Sequence, residues 1–450
     1  MAEFLFKNVL LVTMNPAREV FHGDLLVRDD RIACLFKAGK PDSMVPPTAP
    51  GTRVIDGTGC ALLPGFVQSH IHLCQTLFRN HAEDLRLLDW LQQKIWPFEA
   101  AHTAGSMRLS ARLGIAELLA GGTTTILDMG SVHHYDEVFA EAERWGLRLV
   151  GGKCMMDLGD QTPAGLRETT AASLQESERL REHWHGAAAG RLRYAYAPRF
   201  ALSCSEALLR AVAEAAGANG CMVHTHAAET VEEERLLQTQ KQRRSVAYFH
   251  DLGIAGSHCC FAHAVQAQPE DIHMLARDGS AVAHCPGSNL KLGSGLAPLV
   301  ELRRAGVTVG LGADGAPCNN RLDVFKEMQL AGLIQKIRHG PQALSAEALV
   351  AMATIEGAAC LGLRHEIGSL EAGKKADVTL LRLDTVHQTP PNAGDVYSQI
   401  VYAATAGDVR LTMVDGRVCY ENGEIPQLDM AQLIARAREE WRQLLLRVAL

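Results

Sequence analysis

The sequence predicts an α/β protein: a (β/α)8 barrel of the TIM type, flanked by a small β-sandwich domain built from both ends of the chain. Three observations lead there. The middle of the chain alternates short apolar runs with helical segments, the pattern of βα units around a parallel sheet. Eight such runs occur, and most of them end in His, Asp, Arg or Glu. Strand-and-turn chemistry appears near both termini, on either side of this different middle, so one further sheet draws on both ends.

The elements follow in order. EFLFKNVLLVTM, GDLLVRDDRIACLF and TRVIDGTGCALLPG read as short strands with Asp-Asp and Asp-Gly turns, and assign residues 1–63 to the first part of the small domain. The barrel runs occupy residues 64–364: FVQSHIHL, TTTILDMG, RLVGGKCMMD, LRYAYAPRF, CMVHTHAAE, CCFAHAV, SAVAHCPGS and TVGLGADGA. Helices such as SMRLSARLGIAELLAGG separate them, and the polar strand ends gather at the mouth where such barrels do chemistry. IGSLEAGKKADVTLLRL and VRLTMVDGRVCYENGE return to strand chemistry within residues 365–450. There DMAQLIARAREEWRQLLLRV closes the chain as a helix.

Composition bounds the function. Of 450 residues 47% are hydrophobic and 21% charged, so a large core forms and global disorder is excluded. Lys plus Arg total 44 against 51 Asp plus Glu, a net charge of -7; without a basic run, no nucleic-acid partner is expected. The early apolar stretch FLFKNVLLV is short and broken by Lys7, which predicts neither signal peptide nor membrane span. Twelve cysteines without a C-x-x-C pair read as reduced thiols of a cytoplasmic protein, with Cys259 and Cys260 filling space in a buried strand.

Side chains alternate along a strand, so residues two apart share a face. In PGFVQSHIHLCQ, His70 and His72 therefore point the same way at the end of the first run. An isolated His-x-His pair would fit two hydrogen-bonded histidines just as well. The fifth run repeats the arrangement in HTHAAE, with His224 and His226 on one side; His263 ends the sixth run and Asp314 the eighth. Groups of this kind converging on one mouth are costly to bury unless something satisfies them, and a divalent metal does so. Imidazole and carboxylate ligands without thiolates suit zinc or another borderline ion, with one position open for water. A zinc finger is excluded for want of paired cysteines. The H-x-E with P-C-x-x-C deaminase signature is missing too, since APCNN holds one cysteine.

PGFVQSHIH, HTHAAE, HCPGSNLKLGSG and GADGAPCNN resemble, in this order, the motifs of the amidohydrolase superfamily. The branch they resemble most comprises aminohydrolases acting on adenosine derivatives, guanine and triazines. The resemblance spans nearly the whole chain. It implies that His70, His72, His226 and Asp314 hold one divalent ion, zinc or else iron. His226 is preferred to His224 because it lies nearer the strand's C-terminal end, leaving His224 as a supporting or core histidine. Binuclear relatives need a carboxylated lysine ending the fourth strand, where this chain has Arg199, so a single ion is expected. Within this frame Asp314 accepts the attacking water's proton, and Glu229 protonates the ring nitrogen and helps ammonia leave. His263 hydrogen-bonds the attacking water or the tetrahedral oxygen. Taken alone, Glu229 fits a helix-start acid equally well, and His263 a structural neighbour.

The stretch CQTLFRNHAEDLRLLDWLQQKIWPFEAAH is long for a βα connection, and Trp90, Trp96 and Phe98 predict a helical flap over a flat ring. It resembles methylthioadenosine and adenosylhomocysteine deaminases, in which the glutamate after Trp-Pro contacts the ribose; here that is Glu99, for which an exposed helix-start acid is the alternative. Arg199 departs from those enzymes and resembles guanine deaminases, in which the arginine contacts the purine. Cys318 replaces a serine of many relatives and is either a weak ring contact or a small filler. The segment DGAPCNN is similar to a branch associated with 5′-deoxyadenosine-type substrates.

The resulting expectation is deamination of a 5′-modified adenosine: 5′-deoxyadenosine, methylthioadenosine or, less readily, adenosylhomocysteine. Guanine, 8-oxoguanine, pterin or s-triazine substrates on the same scaffold are the alternative. The family also implies a homo-oligomer. His133 and His134 receive no role.

Overall fold

The computed structural model describes residues 3–39, 49–159, 162–390 and 394–448. One sheet is the barrel. Its strands are β1 (Phe66–His72), β2 (Thr123–Met129), β3 (Arg148–Gly152), β4 (Leu192–Pro198), β5 (Met222–Ala227), β6 (Cys259–His263), β7 (Ala281–His284) and β8 (Val309–Leu311). Each pairs in parallel with its neighbour. These runs are buried on both faces, which is why they read as apolar stretches and not as alternating ones.

Closure depends on a split in the last strand. Val309–Leu311 ladder with β7, and after two intervening residues Asp314 and Gly315 pair with Ile71 and His72 of β1. Gly312 lies at the crossing, where a Cβ would stand 2.7 Å from the backbone oxygen of His70. Only glycine lets the chain pass so close, and the passage delivers Asp314 to the side of His70 and His72. Val67, Leu127, Val150, Ala195, Cys260 and Ala283 pack together with Ala358 and Cys360, so the barrel is a filled core and not a pore.

The second sheet has eight strands and draws on both ends of the chain. Cys60–Pro64 and Val378–Arg382 run antiparallel at its centre, with Leu62 opposite Leu380. Alternation sorts their side chains. Leu62 and Leu380 join Phe6, Leu25 and Met413 in the sheet's own core, whereas Leu63 and Leu381 face the barrel's core. A buried clamp joins the two bodies: Arg148, at the start of β3, donates to both carboxylate oxygens of Asp377 at 2.8 and 3.0 Å and also reaches Asp415. No described helix is long and apolar enough to cross a membrane.

Candidate metal centre

Strand periodicity and the Gly312 crossing bring the sequence-predicted groups to one mouth. The His70 ring centroid lies 4.7 Å from that of His72, 4.8 Å from His226 and 5.3 Å from His263. The candidate ligand atoms of His70, His72 and His226 all lie within 4.8 Å of one another, and so do those of His70, His263 and Asp314. His70, His72, His263 and Asp314 are buried, and His226 is part-buried.

The hydrogen bonds fix which ring nitrogen is free. His72 Nδ1 lies 2.7 Å from the Met129 carbonyl and His226 Nδ1 2.5 Å from the Arg199 carbonyl. A carbonyl only accepts, so both Nδ1 atoms carry the proton and both Nε2 atoms present lone pairs. Those lone pairs face other acceptors: His226 Nε2 is 3.3 Å from His72 Nε2, and His72 Nε2 is 3.3 Å from Asp314 Oδ1. His70 Nε2, likewise 3.3 Å from Asp314 Oδ1, is buried without a hydrogen-bond partner. Acceptors crowded in this way repel unless a cation lies among them. Three imidazoles and one carboxylate therefore fit a borderline divalent ion.

Electrostatics agree with that donor set. Burial pushes His72 down to about 3 and holds His70 and His226 below the ordinary imidazole value, so all three are neutral. The backbone is strained at the same place. Ala228, His263 and Asp314 adopt φ of 51, 77 and 63 degrees, a region that costs non-glycine residues about 1–3 kcal/mol each and clusters at functional sites.

Glu229 and His263 complete the rim. Glu229 Oε2 lies 3.6 Å from His263 Nε2, and Ser294 Oγ donates to Glu229 Oε1 at 3.4 Å. Burial raises the Glu229 carboxyl above its ordinary value. Its backbone N–H donates to Glu233 Oε2 at 2.8 Å, and Glu233 with Thr230 forms the capping box of the helix Val231–Lys241. Glu229 thus precedes the cap, and that helix start fixes where the carboxylate sits. His263 Nδ1 meets Asn289 Oδ1 at 2.9 Å, which turns Nε2 towards Glu229. Burial disfavours the His263 charge, but Glu229 and Asp314 beside it outweigh burial and raise its pKa.

A cavity of about 30 Å³ lies above these groups, roofed by Leu87, Trp90 and Leu91 and walled by Gln75, Arg199 and Phe200. The roof is the expected flap, now seen as short helices with a π-turn at Leu91–Ile95. Trp90 is an anchor as well as a roof residue, since its Nε1 donates to the Ala82 carbonyl at 3.1 Å.

Of the expected substrate contacts, only Arg199 lines the cavity among the described residues. Glu99 is not an exposed helix start: it is 3% exposed, ion-paired with Arg199 at 2.7 Å, and accepts from Gln75 Nε2 at 2.9 Å. Cys318 is fully buried, and its thiol donates to the Gly315 carbonyl at 3.1 Å. His133 and His134 are exposed and do not line the cavity. Gln75, Leu87, Leu91 and Leu292 were not singled out by sequence reasoning; only Gln75, in the turn straight after the first histidine pair, carried any local signal.

Comparison with known proteins bears on this site. The model of the amidohydrolase family matches residues 61–419. A 5-methylthioadenosine/S-adenosylhomocysteine deaminase of Symbiobacterium thermophilum is 37% identical, with 98% of each chain covered. A 5′-deoxyadenosine deaminase of Methanosarcina acetivorans is 35% identical over 99% of each chain. Among solved structures, a zinc-bound adenosine deaminase from Xanthomonas campestris superposes with a TM-score of 0.91 at 30% identity, covering 100% of this chain and 99% of that one.

Proposed function

The chain belongs to the amidohydrolase family, and from that premise we propose a hydrolytic deaminase that removes the exocyclic amino group of a 5′-modified adenosine and releases ammonia. Its natural substrate is of the 5′-deoxyadenosine, methylthioadenosine or adenosylhomocysteine type. The supporting observation is the meeting of His70, His72, His226 and Asp314 with unprotonated nitrogens and a carboxylate turned towards one another. These four would hold a single divalent ion, for which zinc is our choice over iron.

When bound, such an ion supplies Lewis acidity, acidifying water and offsetting the negative charge that develops on attack at a ring carbon. The chain's own residues do the rest. Asp314, the carboxylate beside the three imidazoles, takes up the proton that water gives up. Glu229, whose carboxyl burial raises above its ordinary value, gives a proton to the ring nitrogen next to the attacked carbon and recovers one from the new hydroxyl as the carbonyl forms. Asp314 passes the proton it took from water to the departing amine as the C–N bond breaks. His263 is held at Nδ1 by Asn289 Oδ1, and the carboxylates of Glu229 and Asp314 beside it raise its pKa. It donates from Nε2 as an imidazolium to the developing oxyanion. Leu87, Trp90 and Leu91 exclude bulk water from the ring.

A guanine-type ring is the second reading, favoured by one observation: Arg199 lines the cavity, whereas Glu99 stands behind it. In the adenosine reading, Glu99 reaches a ribose only when the flap opens. A screen for ammonia release across 5′-deoxyadenosine, methylthioadenosine, adenosylhomocysteine, guanine, 8-oxoguanine and pterins separates the two. Turnover of the 5′-modified adenosines at least tenfold above the free bases is expected. The reverse preference would overturn the adenosine assignment and leave the deaminase intact.

A further inference from the structure

His224, the other histidine of the HTH triplet, lies outside both groups of candidate ligands, yet it touches the centre. It is fully buried, with Nδ1 2.8 Å from the Cys260 carbonyl and Nε2 2.7 Å from His70 Nδ1. The carbonyl of Cys260 only accepts, so His224 Nδ1 carries the proton and Nε2 holds a lone pair. His70 Nδ1 must then be the donor in the contact between the two rings, which leaves His70 Nε2 deprotonated and aimed at Asp314.

His72 and His226 obtain the same tautomer directly from the carbonyls of Met129 and Arg199. His70 has no carbonyl partner on Nδ1, and the second imidazole makes up the distance. Cys260 is the residue opposite His224 in the β5–β6 ladder, so the relay is anchored on the barrel wall.

We propose that His224 is a positioning residue that sets the tautomer and direction of His70 by relaying the Cys260 carbonyl, and so tunes metal affinity without being a ligand. This rests on the reading of His70 as a ligand. Outer partners of metal-bound histidines change affinity by about 10–100-fold when removed.

The test is zinc affinity of the full-length protein, measured by competition with a chromogenic chelator. His224→Leu, which keeps bulk and loses both polar contacts, should bind zinc about 10–100-fold more weakly. His224→Gln, which keeps an acceptor at the reach of Nε2, should recover most of that loss. A folded His224→Leu within threefold of the wild type would overturn the relay, as would equal losses in the two variants. Should His224→Leu fail to fold, nitrogen NMR of the histidine-labelled wild type decides: Nδ1-protonated rings at both His224 and His70 are expected, and an Nε2-protonated His224 overturns the proposal. A wild type that binds no zinc at all would instead sink the metal reading beneath it.

Discussion

The rim of strand ends and the flap above it meet across one small cavity, but they are built differently. Two imidazoles of the rim are fixed by their own strand and by a backbone carbonyl of a neighbouring one, His72 by Met129 and His226 by Arg199. The flap, residues 73–102, is fixed mostly by side chains from far away in sequence. Glu99 is held by Arg199, and the terminal helix Met430–Val448 packs Trp441 against His81 and Phe98 at 4.1 and 5.2 Å, while Arg447 donates to the Ala101 carbonyl. Backbone-fixed geometry survives when neighbours change. Geometry fixed by distant side chains can be released, and a cavity of about 30 Å³, roughly one water, must open before any purine enters.

The comparison breaks hardest at the rim. His226→Ala removes one of the four proposed ligands without touching the flap, and the expected outcome is loss of stoichiometric metal together with all measurable turnover. Elemental analysis and an ammonia assay check both. Glu229→Gln should instead keep the metal and lower kcat by about 10²–10⁴-fold, the range for removal of a positioned acid or base. A Gln variant with near-normal kcat removes Glu229 from proton transfer.

Between rim and flap lies the Glu99–Arg199 pair, at 0% and 3% side-chain exposure. Arg199→Met leaves a carboxylate buried without its cation, a change that costs about 3–5 kcal/mol. Thermal unfolding should fall accordingly, and Arg199→Met with Glu99→Gln should restore most of it. If the single variant is as stable as the wild type, the flap is not tied to the barrel through this pair. Activity separates the two substrate readings in the same variants, since a guanine-type ring would lose the Arg199 contact and a nucleoside would lose the Glu99 side.

The same contrast explains what was legible. Period-2 spacing and helix-separated apolar runs are local signals, and the eight strands, the sheet drawn from both termini and the convergence of His70, His72, His226, His263 and Asp314 all follow from them. The flap was visible as a length anomaly with aromatics, but its π-turn and its dependence on the terminal helix were not. Glu99 shows the reason. Its neighbours in sequence describe a helix start, and its burial comes from a guanidinium 100 residues away. Gln75 was passed over because its place after the first histidine pair is a weak signal for an amide until Glu99 orients it. His224 could be read only as a supporting or a core histidine, because spacing does not show that its nitrogen faces the ring of His70.

The smallest expected effect tests the outermost contact. Trp441 is half-buried, stacks on His81 and meets Phe98 edge-on, and Ala437 and Leu444 of its helix join Phe78, Trp90 and Phe98 in one apolar cluster. Trp441→Ala removes its ring contacts with His81, Phe98 and Phe78, worth about 0.5–1.5 kcal/mol each, so a modest drop in unfolding temperature is expected. The more telling measurement is amide hydrogen exchange. If the terminal helix latches the flap, protection falls across residues 87–100 and stays unchanged at the strand ends carrying His72 and His226. Uniform loss of protection in both regions would mean that flap and rim open as one cooperative body, and the distinction between them would disappear.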